Sequence, residues 1–166
     1  MFVKLFMRSH SFLKIIGEKI TLDELILLWQ WRDRNWIIFG DDERATLKST
    51  EKWFKNYYLD KKRILFWVIG DKGEKIGHMG LSTFTEDELE IDNVIRGVEK
   101  YKGIMSQAIQ ELLTIARRLA KDIFLKVKSD NEKAIKFYET NGFRPLGKIL
   151  YKNQPFLQMK YEDIKL

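Results

Sequence analysis

The segment between residues 88 and 128 limits the possible folds most, because it has the pattern of strand, loop, helix and strand. Residues 88–95 (ELEIDNVI) alternate between polar and apolar side chains, as a half-buried strand does. Apolar residues then recur at helical spacing from Ile104 to Leu119, and residues 123–128 (IFLKVK) are again strand-like. Two strands joined through a helix can pair in parallel by a crossover connection. The segment therefore predicts one parallel strand pair.

The remaining elements are expected to be two helices and a hairpin before this segment, and a helix and two strands after it. A capping-box pattern at residues 21–24 (TLDE) begins the first helix, and residues 71–74 (DKGE) form the hairpin turn. The other predicted elements are a helix at 50–59, hairpin strands at 64–70 and 75–84, a helix within 129–143, and closing strands near 144–151 and 156–161. The expected fold is α+β, with a mixed, mostly antiparallel sheet flanked by about four helices, in a single domain spanning residues 1–166.

The charge of the chain does not favour nucleic acid as a partner. The formal net charge is +6, but charges of both signs alternate along the sequence and no block of five like charges occurs. A solvated surface with a modest basic surplus is the simpler interpretation. No nucleic-acid partner is expected.

The absence of cysteine narrows the chemistry of the chain. Disulfides, thiolate nucleophiles and cysteine metal ligands are all removed, and His10 and His78 are the only imidazoles, so no metal site is expected. The longest apolar run, residues 64–69, is too short to span a bilayer, and the first residues lack the apolar core and cleavage site of a signal peptide. We therefore predict a cytoplasmic protein with no membrane partner.

Two short segments of the sequence indicate the function. Residues 100–105 (KYKGIM) lie between a predicted strand and a predicted helix, where backbone N–H groups and the helix dipole favour an anion. Gly103 allows a close approach of the backbone, while Lys100 and Lys102 can contact phosphate oxygens. Taken alone, this pattern also fits a solvated helix cap. The second block, residues 129–143 (SDNEKAIKFYETNGF), combines cap-forming residues, an amphipathic helix and a helix-ending Gly142.

Together the two blocks resemble the GCN5-related N-acetyltransferase (GNAT) superfamily, in which a Gln/Arg-x-x-Gly-x-Gly/Ala loop and an Asn-x-x-Ala-x-x-Phe-Tyr helix bind acetyl-CoA. In the second block the matching residues are Asn131, Ala134, Phe137, Tyr138, Gly142 and Phe143. In the loop, Lys100 and Gly103 take the first and fourth positions. Met105 stands where the family has Gly or Ala, and its side chain is expected to crowd the diphosphate. The resemblance implies a GNAT-type acyl-CoA N-acyltransferase fold with a splayed parallel strand pair.

The resemblance also implies acetyl-CoA as cosubstrate and roles for particular residues. Without cysteine, the transfer is expected to run directly from thioester to amine. Tyr138 is the expected general acid for the coenzyme A sulfur, the alternative being a tyrosine that only packs on its helix, and Asn131 is expected to bond the pantetheine arm. The expected cofactor-binding residues are Val94, Ile95, Val98, Lys100, Tyr101, Lys102, Gly103, Ile104, Met105, Ser106, Asn131, Phe137 and Tyr138.

A strand glutamate is the expected general base, since many members of the family use one through water. Residues 88–95 offer Glu88, Glu90 and Asp92, and we select Glu90. Alternation places Leu89, Ile91 and Ile95 on one face of this strand and Glu90, Asp92 and Val94 on the other. A solvated strand face is the alternative for the carboxylates. A backbone N–H near Val94 or Ile95 could stabilise the oxyanion, and His78 is interpreted as a core histidine.

The acceptor is expected to be a small-molecule amine. Residues 27–33 (LLWQWRD) and 51–54 (EKWF) look like the GNAT subgroup of ribosomal-protein alanine and bacterial aminosugar acetyltransferases. Aromatic residues suggest flat faces for stacking, and they are Trp29, Trp31, Trp36, Trp53 and Tyr57. A nucleotide-linked aminosugar is the first choice of acceptor and a protein N-terminus the second, with a non-catalytic acyl-CoA-binding module as the rival function. The acidic loop Asp41, Asp42 and Glu43 either attracts a cationic amine or is a surface turn. A monomer or homodimer is expected.

Overall fold

The computed structural model describes residues 11–60, 62–83 and 85–163. His10, and Phe84 at the end of the predicted strand 75–84, lie outside these residues. Within the described chain the elements follow in the predicted order, with two additions. The strands are β1 (Leu13–Ile15), β2 (Arg63–Ile69), β3 (Lys75–Thr83), β4 (Glu88–Arg96), β5 (Asp122–Lys128), β6 (Phe143–Tyr151) and β7 (Gln154–Tyr161). The α-helices are α1 (Leu22–Arg34), α2 (Leu47–Leu59), α3 (Ile104–Ala116) and α4 (Glu132–Thr140), and a 3-10 helix spans Trp36–Phe39.

The sheet is mixed and mostly antiparallel, with one parallel strand pair, which confirms the predicted α+β fold. Contacts divide the chain into two compact units. One spans Met1–Gly17 and Lys61–Ile123, and the other spans Glu18–Asp60 and Phe124–Leu166. Each unit is described in turn.

The first unit contains the antiparallel strands β1 to β4 and the helix α3. In β3, Gly77 sits so close to β4 that an added Cβ would lie 2.2 Å from the carbonyl oxygen of Ile95. The short strand β1 was not predicted, because three residues are too few to show alternation. The carboxylate of Glu111 in α3 holds the residues before β1: it accepts hydrogen bonds from the Ser11 hydroxyl and from the Phe12 N–H, the latter at 2.9 Å.

A β-bulge in β4 changes which face its last residues occupy. His78 lies opposite Ile95 and Gly80 opposite Asp92, so β4 contains one residue more than β3 between these pairs. Asn93 there has a φ of +50°. Since His78 and Gly80 share a face of β3, Ile95 shares the face of Asp92. The prediction that Ile95 faces the same way as Leu89 and Ile91 was wrong, because the bulge reverses the alternation.

Helix α3 begins where expected and ends before Leu119. The N–H groups of Arg118 and Leu119 bond to the carbonyl groups of Ile115 and Ala116, each three residues back, at 3.1 and 2.9 Å. Such bonds tighten and end an α-helix. One side of α3 is fully buried in the first unit, and includes Ala108, Ile109, Leu112 and Leu113.

The second unit contains α1, the 3-10 helix, α2, α4 and the antiparallel strands β5, β7 and β6. The predicted capping box of α1 is present, with Thr21 accepting from the Glu24 N–H. Helix α2 starts at Leu47 rather than Thr50, because Thr46 and Ser49 form a second capping box upstream.

Two residues with positive φ make the turn between β6 and β7. Lys152 and Asn153 have φ of +50° and +57°, the conformation of a two-residue hairpin turn. The side chain of Lys152 then donates a hydrogen bond to Asp41, and at 3.3 Å to the carbonyl of Phe39. The hairpin turn is thereby tied to the residues that follow the 3-10 helix.

Candidate active site

The loop between β4 and α3, residues 97–103, forms a turn that ends at Gly103. Gly103 is the N-cap of α3 with a φ of +82°, a conformation that L side chains rarely adopt. Among the described residues no side chain caps this end, and the first turn of α3 contains no acidic residue. The partial positive charge of the helix start is therefore offset by no neighbouring carboxylate in that turn. This end of α3 has the electrostatic character that an anion requires.

Main-chain hydrogen bonds anchor the start of the loop to β3. The N–H groups of Gly97 and Val98 both donate to the carbonyl of Ile76, at 2.7 and 2.9 Å. Val98, an expected cofactor residue, thus already uses its N–H within the protein. Arg96, which the sequence predictions missed, donates to the carbonyls of Val98 at 3.2 Å, of Glu99, and of Tyr101 at 3.3 Å.

The middle of the loop is exposed and carries the predicted cations. Lys100 and Lys102 are exposed, and the Lys100 Nζ lies 5.8 Å from the centre of the Tyr101 ring. The phenol of Tyr101 bonds to the carboxylate of Glu74 in the turn before β3. This bond lowers the pKa of Glu74 and raises the pKa of Tyr101.

Met105 does not present its side chain to the loop surface. Ile104 and Met105 are both buried, with 6% and 8% of their surface exposed. The Met105 sulfur lies 3.3 Å from the position that a Cβ on Gly77 would occupy, so this side chain packs against β3. The expectation that Met105 crowds the diphosphate was wrong, because the helix turns that side chain toward the interior of its unit. Ser106, next along α3, is half-buried.

The predicted acid–base residues of β4 lie on one face. Glu90 pairs with Ser82 and Asp92 with Gly80, so both carboxylates project from the same side as His78. Asp92 accepts a hydrogen bond of 2.9 Å from the Ser82 hydroxyl. His78 is fully buried, as a core histidine is, and Val94 is half-buried beside the bulge.

Helix α4, in the second unit, has the predicted ends. The side-chain oxygen of Asn131 caps the helix by accepting from the Ala134 N–H at 3.2 Å. At the other end Gly142 has a φ of +96°, and a Cβ there would lie 2.8 Å from the Tyr161 ring. Because the Asn131 oxygen accepts in the cap, the hydrogen-bond donor of this side chain is its amide nitrogen.

Tyr138 is the most enclosed of the expected catalytic groups. It is 8% exposed, and its ring packs edge-on against Phe137 and Phe143, with centroids 5.4 and 5.8 Å apart. Burial raises the pKa of the Tyr138 phenol above its ordinary value. The phenol therefore remains protonated at neutral pH.

The aromatic residues of α1 and α2 do not form the expected stacking platform. Trp31 and Tyr57 are core residues, each 2% exposed, and the Trp29 N–H donates to the Ala45 carbonyl at 2.9 Å. The Arg32 guanidinium covers one face of Trp53, 3.9 Å from the ring centre. Trp36 is half-buried. Tertiary packing in the second unit thus uses most of the flat surfaces that the sequence seemed to offer.

The carboxylates near the 3-10 helix already have cationic partners. Asp41 bonds to Lys152 and lies 4.0 Å from Arg32. Asp33, in α1, receives two hydrogen bonds from Arg44, at 2.9 and 2.5 Å. Bidentate pairs of this kind are among the stronger charge-assisted contacts. The interpretation of the acidic loop as a surface turn fits Asp41 better than an attraction for a cationic amine.

The structure thus groups the predicted site residues within each unit. Val94, Ile95, Glu90 and the loop residues up to Ser106 belong to the first unit, and Asn131, Phe137 and Tyr138 to the second. Arg96 and the pairs made by Asp41 were not foreseen, since their contacts depend on folded geometry.

The family model for the acetyltransferase (GNAT) family matches residues 25–143. The chain therefore belongs to the GNAT acetyltransferase family, and it is an N-acetyltransferase that uses acetyl-CoA. No curated protein matches the sequence.

Solved structures show the same fold at low sequence identity. Spermidine N-acetyltransferase from Vibrio cholerae, in complex with CoA and spermine, has a TM-score of 0.72 at 18% identity, over 91% of this chain and 95% of that one. The Campylobacter jejuni N-acetyltransferase PseH, in complex with acetyl coenzyme A, has a TM-score of 0.68 at 18% identity, over 91% and 99%. Aminoglycoside acetyltransferase AAC(6')-Ib, in complex with coenzyme A, has a TM-score of 0.72 at 20% identity, over 91% and 94%.

The residues of the first unit suit the phosphates of acetyl-CoA. Because Gly103 has no side chain, the main chain is accessible at the start of α3. Lys100 and Lys102 are exposed cations of the same loop. Among the described residues no group of three or more His, Cys, Asp or Glu side chains could hold a metal ion. None of the helices in the described part of the chain is long and apolar enough to cross a bilayer.

Proposed function

We propose that this N-acetyltransferase acetylates a primary amine on a sugar, with a nucleotide-linked aminosugar as the preferred acceptor. Tyr138 is the proposed general acid, and Glu90 is the proposed general base. The cofactor loop is residues 97–103, with the start of α3. These assignments rest on the family pattern together with the charges and burial described above.

The observation that carries the acceptor proposal is the pairing of carboxylates in the second unit. A site for a polyamine needs carboxylates whose charge is left to the ligand. Asp41 is already shared between Lys152 and Arg32, and Asp33 is held by Arg44. These pairs lower the charge that Asp41 and Asp33 offer to a polyamine, which favours an acceptor of lower positive charge.

A basic group in the same unit supports an acceptor with a phosphate. The ammonium group of Lys126 lies 4.7 Å from the ring centre of Tyr151, which is 38% exposed, whereas Lys152 is held by Asp41. An exposed ring beside the Lys126 cation suits the base and a phosphate of a nucleotide.

The proposed chemistry is a direct transfer. The acceptor amine attacks the thioester carbonyl carbon, a C–N bond forms, and the C–S bond breaks. Glu90, through water, takes the proton that the amine loses, and Tyr138 gives its phenolic proton to the departing sulfur. Burial raises the pKa of Tyr138, so the phenol holds this proton before the sulfur departs. A backbone N–H at the bulge of β4 stabilises the oxyanion.

Competition between acceptors tests the proposal. Nucleotide-linked aminosugars, free aminosugars, spermidine and peptides with free Ala or Ser N-termini are compared by kcat/KM, with release of free thiol as the signal. We expect the nucleotide-linked aminosugars to lead. Lys126→Gln should raise the KM for a nucleotide-linked aminosugar and leave the KM for the free sugar unchanged. A preference of tenfold or more for peptides or spermidine would overturn the sugar assignment and leave the acetyltransferase standing.

The base is tested separately. Glu90→Gln should lower kcat and flatten the acidic limb of the pH–rate profile, because the carboxylate that must be ionised is gone. Glu88→Gln, on the same strand but exposed, is the matched control and should keep the wild-type profile. If the pH–rate profile of Glu90→Gln is unaltered, Glu90 is not the general base but a residue of a solvated strand face.

A further inference from the structure

Arg96 binds the cofactor loop from within, at the point where β4 ends. Its guanidinium donates to three carbonyl groups of the loop, those of Val98, Glu99 and Tyr101. Its Nη1 also lies 3.6 Å from the carboxylate of Glu99. The planar fork of an arginine can reach several acceptors at once in fixed directions, which a lysine cannot do.

These contacts fix the direction of the peptide groups in the loop. In a trans peptide the C=O and the N–H of the same unit point in opposite directions. Because the carbonyls of residues 98, 99 and 101 turn toward the guanidinium, the N–H groups of Glu99, Lys100 and Lys102 point away from it. These three residues are exposed. Arg96 thus aims a set of N–H donors outward, just before the start of α3.

We propose that Arg96 is a positioning residue for the phosphates of acetyl-CoA, which it serves by orienting the N–H groups of residues 99, 100 and 102. The inference rests on the proposed use of residues 97–103 as the cofactor loop. Successive N–H groups that converge on one side of a loop form a concave site for anions. Arg96 itself is engaged with the main chain through Nε and Nη2 and with Glu99 through Nη1, so it acts through the loop and not as a direct phosphate ligand.

Binding of two ligands to the full-length protein tests the role without any acceptor. Coenzyme A and pantetheine, which lacks the phosphates, are each titrated calorimetrically. In Arg96→Gln we expect coenzyme A to bind about tenfold to a hundredfold more weakly, on the scale of lost charge-assisted hydrogen bonds, and pantetheine to bind as before. Arg96→Lys keeps the charge and part of the donors, so it should recover part of the affinity. Arg118→Gln, an exposed arginine of the same unit, is the control and should bind both ligands normally.

Hydrogen exchange of the ligand-free protein separates positioning from direct contact. If Arg96 holds the loop, the amides of Gly97 and Val98, which bond to the Ile76 carbonyl, should exchange about tenfold or more faster in Arg96→Gln, before any ligand is added. Unchanged exchange together with weaker coenzyme A binding would overturn the proposal in favour of a direct phosphate contact. Equal losses for coenzyme A and pantetheine would overturn it in favour of general damage to the fold. An absence of thiol release with every acceptor would contradict the proposed function and leave this binding result intact.

Discussion

The loop before α3 and the helix α4 are both proposed to bind acetyl-CoA, the loop through its main chain and the helix through its side chains. In the loop, Gly103 has no side chain, Met105 packs inward, and Arg96 bonds to carbonyl groups. In α4, the proposed general acid is the enclosed Tyr138, and Phe143 packs against its ring.

The difference teaches which substitutions each region tolerates. A main-chain site depends on backbone conformation, so it accepts varied side chains as long as the φ angles and the peptide directions are kept. This explains why the loop can hold Lys100 and Met105 in place of the residues usual in the family. A side-chain site depends on one functional group, so a change of a single atom there can remove the activity. Four experiments test this contrast.

The largest effect is expected from Gly103→Glu. A side chain with negative charge at a φ of +82° puts both bulk and repulsion where phosphates would bind, so stabilisation by millimolar acetyl-CoA in a thermal shift assay should disappear. Gly73→Glu is a close control, because Gly73 has a φ of +80° and, like Gly103, has open space around an added Cβ. Both variants should lose about 1 to 2 kcal/mol of stability from the left-handed backbone. If acetyl-CoA stabilises neither Gly103→Glu nor Gly73→Glu, the assignment of the anion site to Gly103 is overturned.

The next effect concerns a single oxygen in α4. Tyr138→Phe should lower kcat by about one to three orders of magnitude while cofactor affinity barely changes, if the phenol protonates the sulfur. Tyr58→Phe is the matched control. Burial also raises the pKa of Tyr58, and its hydroxyl has no hydrogen-bond partner among the described residues. That change should leave turnover unaltered. Normal turnover in Tyr138→Phe would make Tyr138 a packing residue.

A third experiment measures stability at the end of α4. Gly142→Ala should cost about 1 to 3 kcal/mol in chemical unfolding, because alanine is strained at a φ of +96° and its Cβ would lie 2.8 Å from the Tyr161 ring. Gly147→Ala, in β6, meets no atom within 4 Å and has no positive φ. It should change stability little. If the two variants lose the same stability, neither the backbone conformation of Gly142 nor the Tyr161 ring opposes an added Cβ.

The smallest effect is expected where the loop does use side chains. Glu74→Gln weakens the bond to the Tyr101 phenol, and the KM for acetyl-CoA should rise only about twofold, as is usual for exposed contacts. The pH dependence has a definite sign. The lowered pKa of Glu74 means that the contact is kept above the ordinary carboxyl pKa and lost as the pH falls through the lowered value. The raised pKa of Tyr101 means that the same contact is kept at pH values below the ordinary phenol pKa. The contact is lost as the pH rises through the raised value. A KM that stays constant from acid to alkaline pH would show that this bond does not support the loop.

Local signals predicted most of the fold and the position of the glycine at the start of α3. The capping box at Thr21, the helix-ending Gly142 and the loop glycine Gly103 each follow from a few adjacent residues. Contacts between distant residues could not be predicted in this way. The burial of Trp31 and the capture of Asp41 by Lys152 depend on how separate segments pack. The reversal of Ile95 depends on one extra residue in β4, which alternation cannot reveal.

The discontinuity of the second unit has a consequence for the order in which the site can arise during protein synthesis. The first unit is complete in sequence once Ile123 has been added, whereas the second also needs the chain beyond Phe124. Arg96, Ile76 and Glu74 therefore all exist, and can hold the loop, before Tyr138 has been translated. A ribosome stalled shortly after Ile123 would carry every residue that holds the cofactor loop in place and no residue of α4.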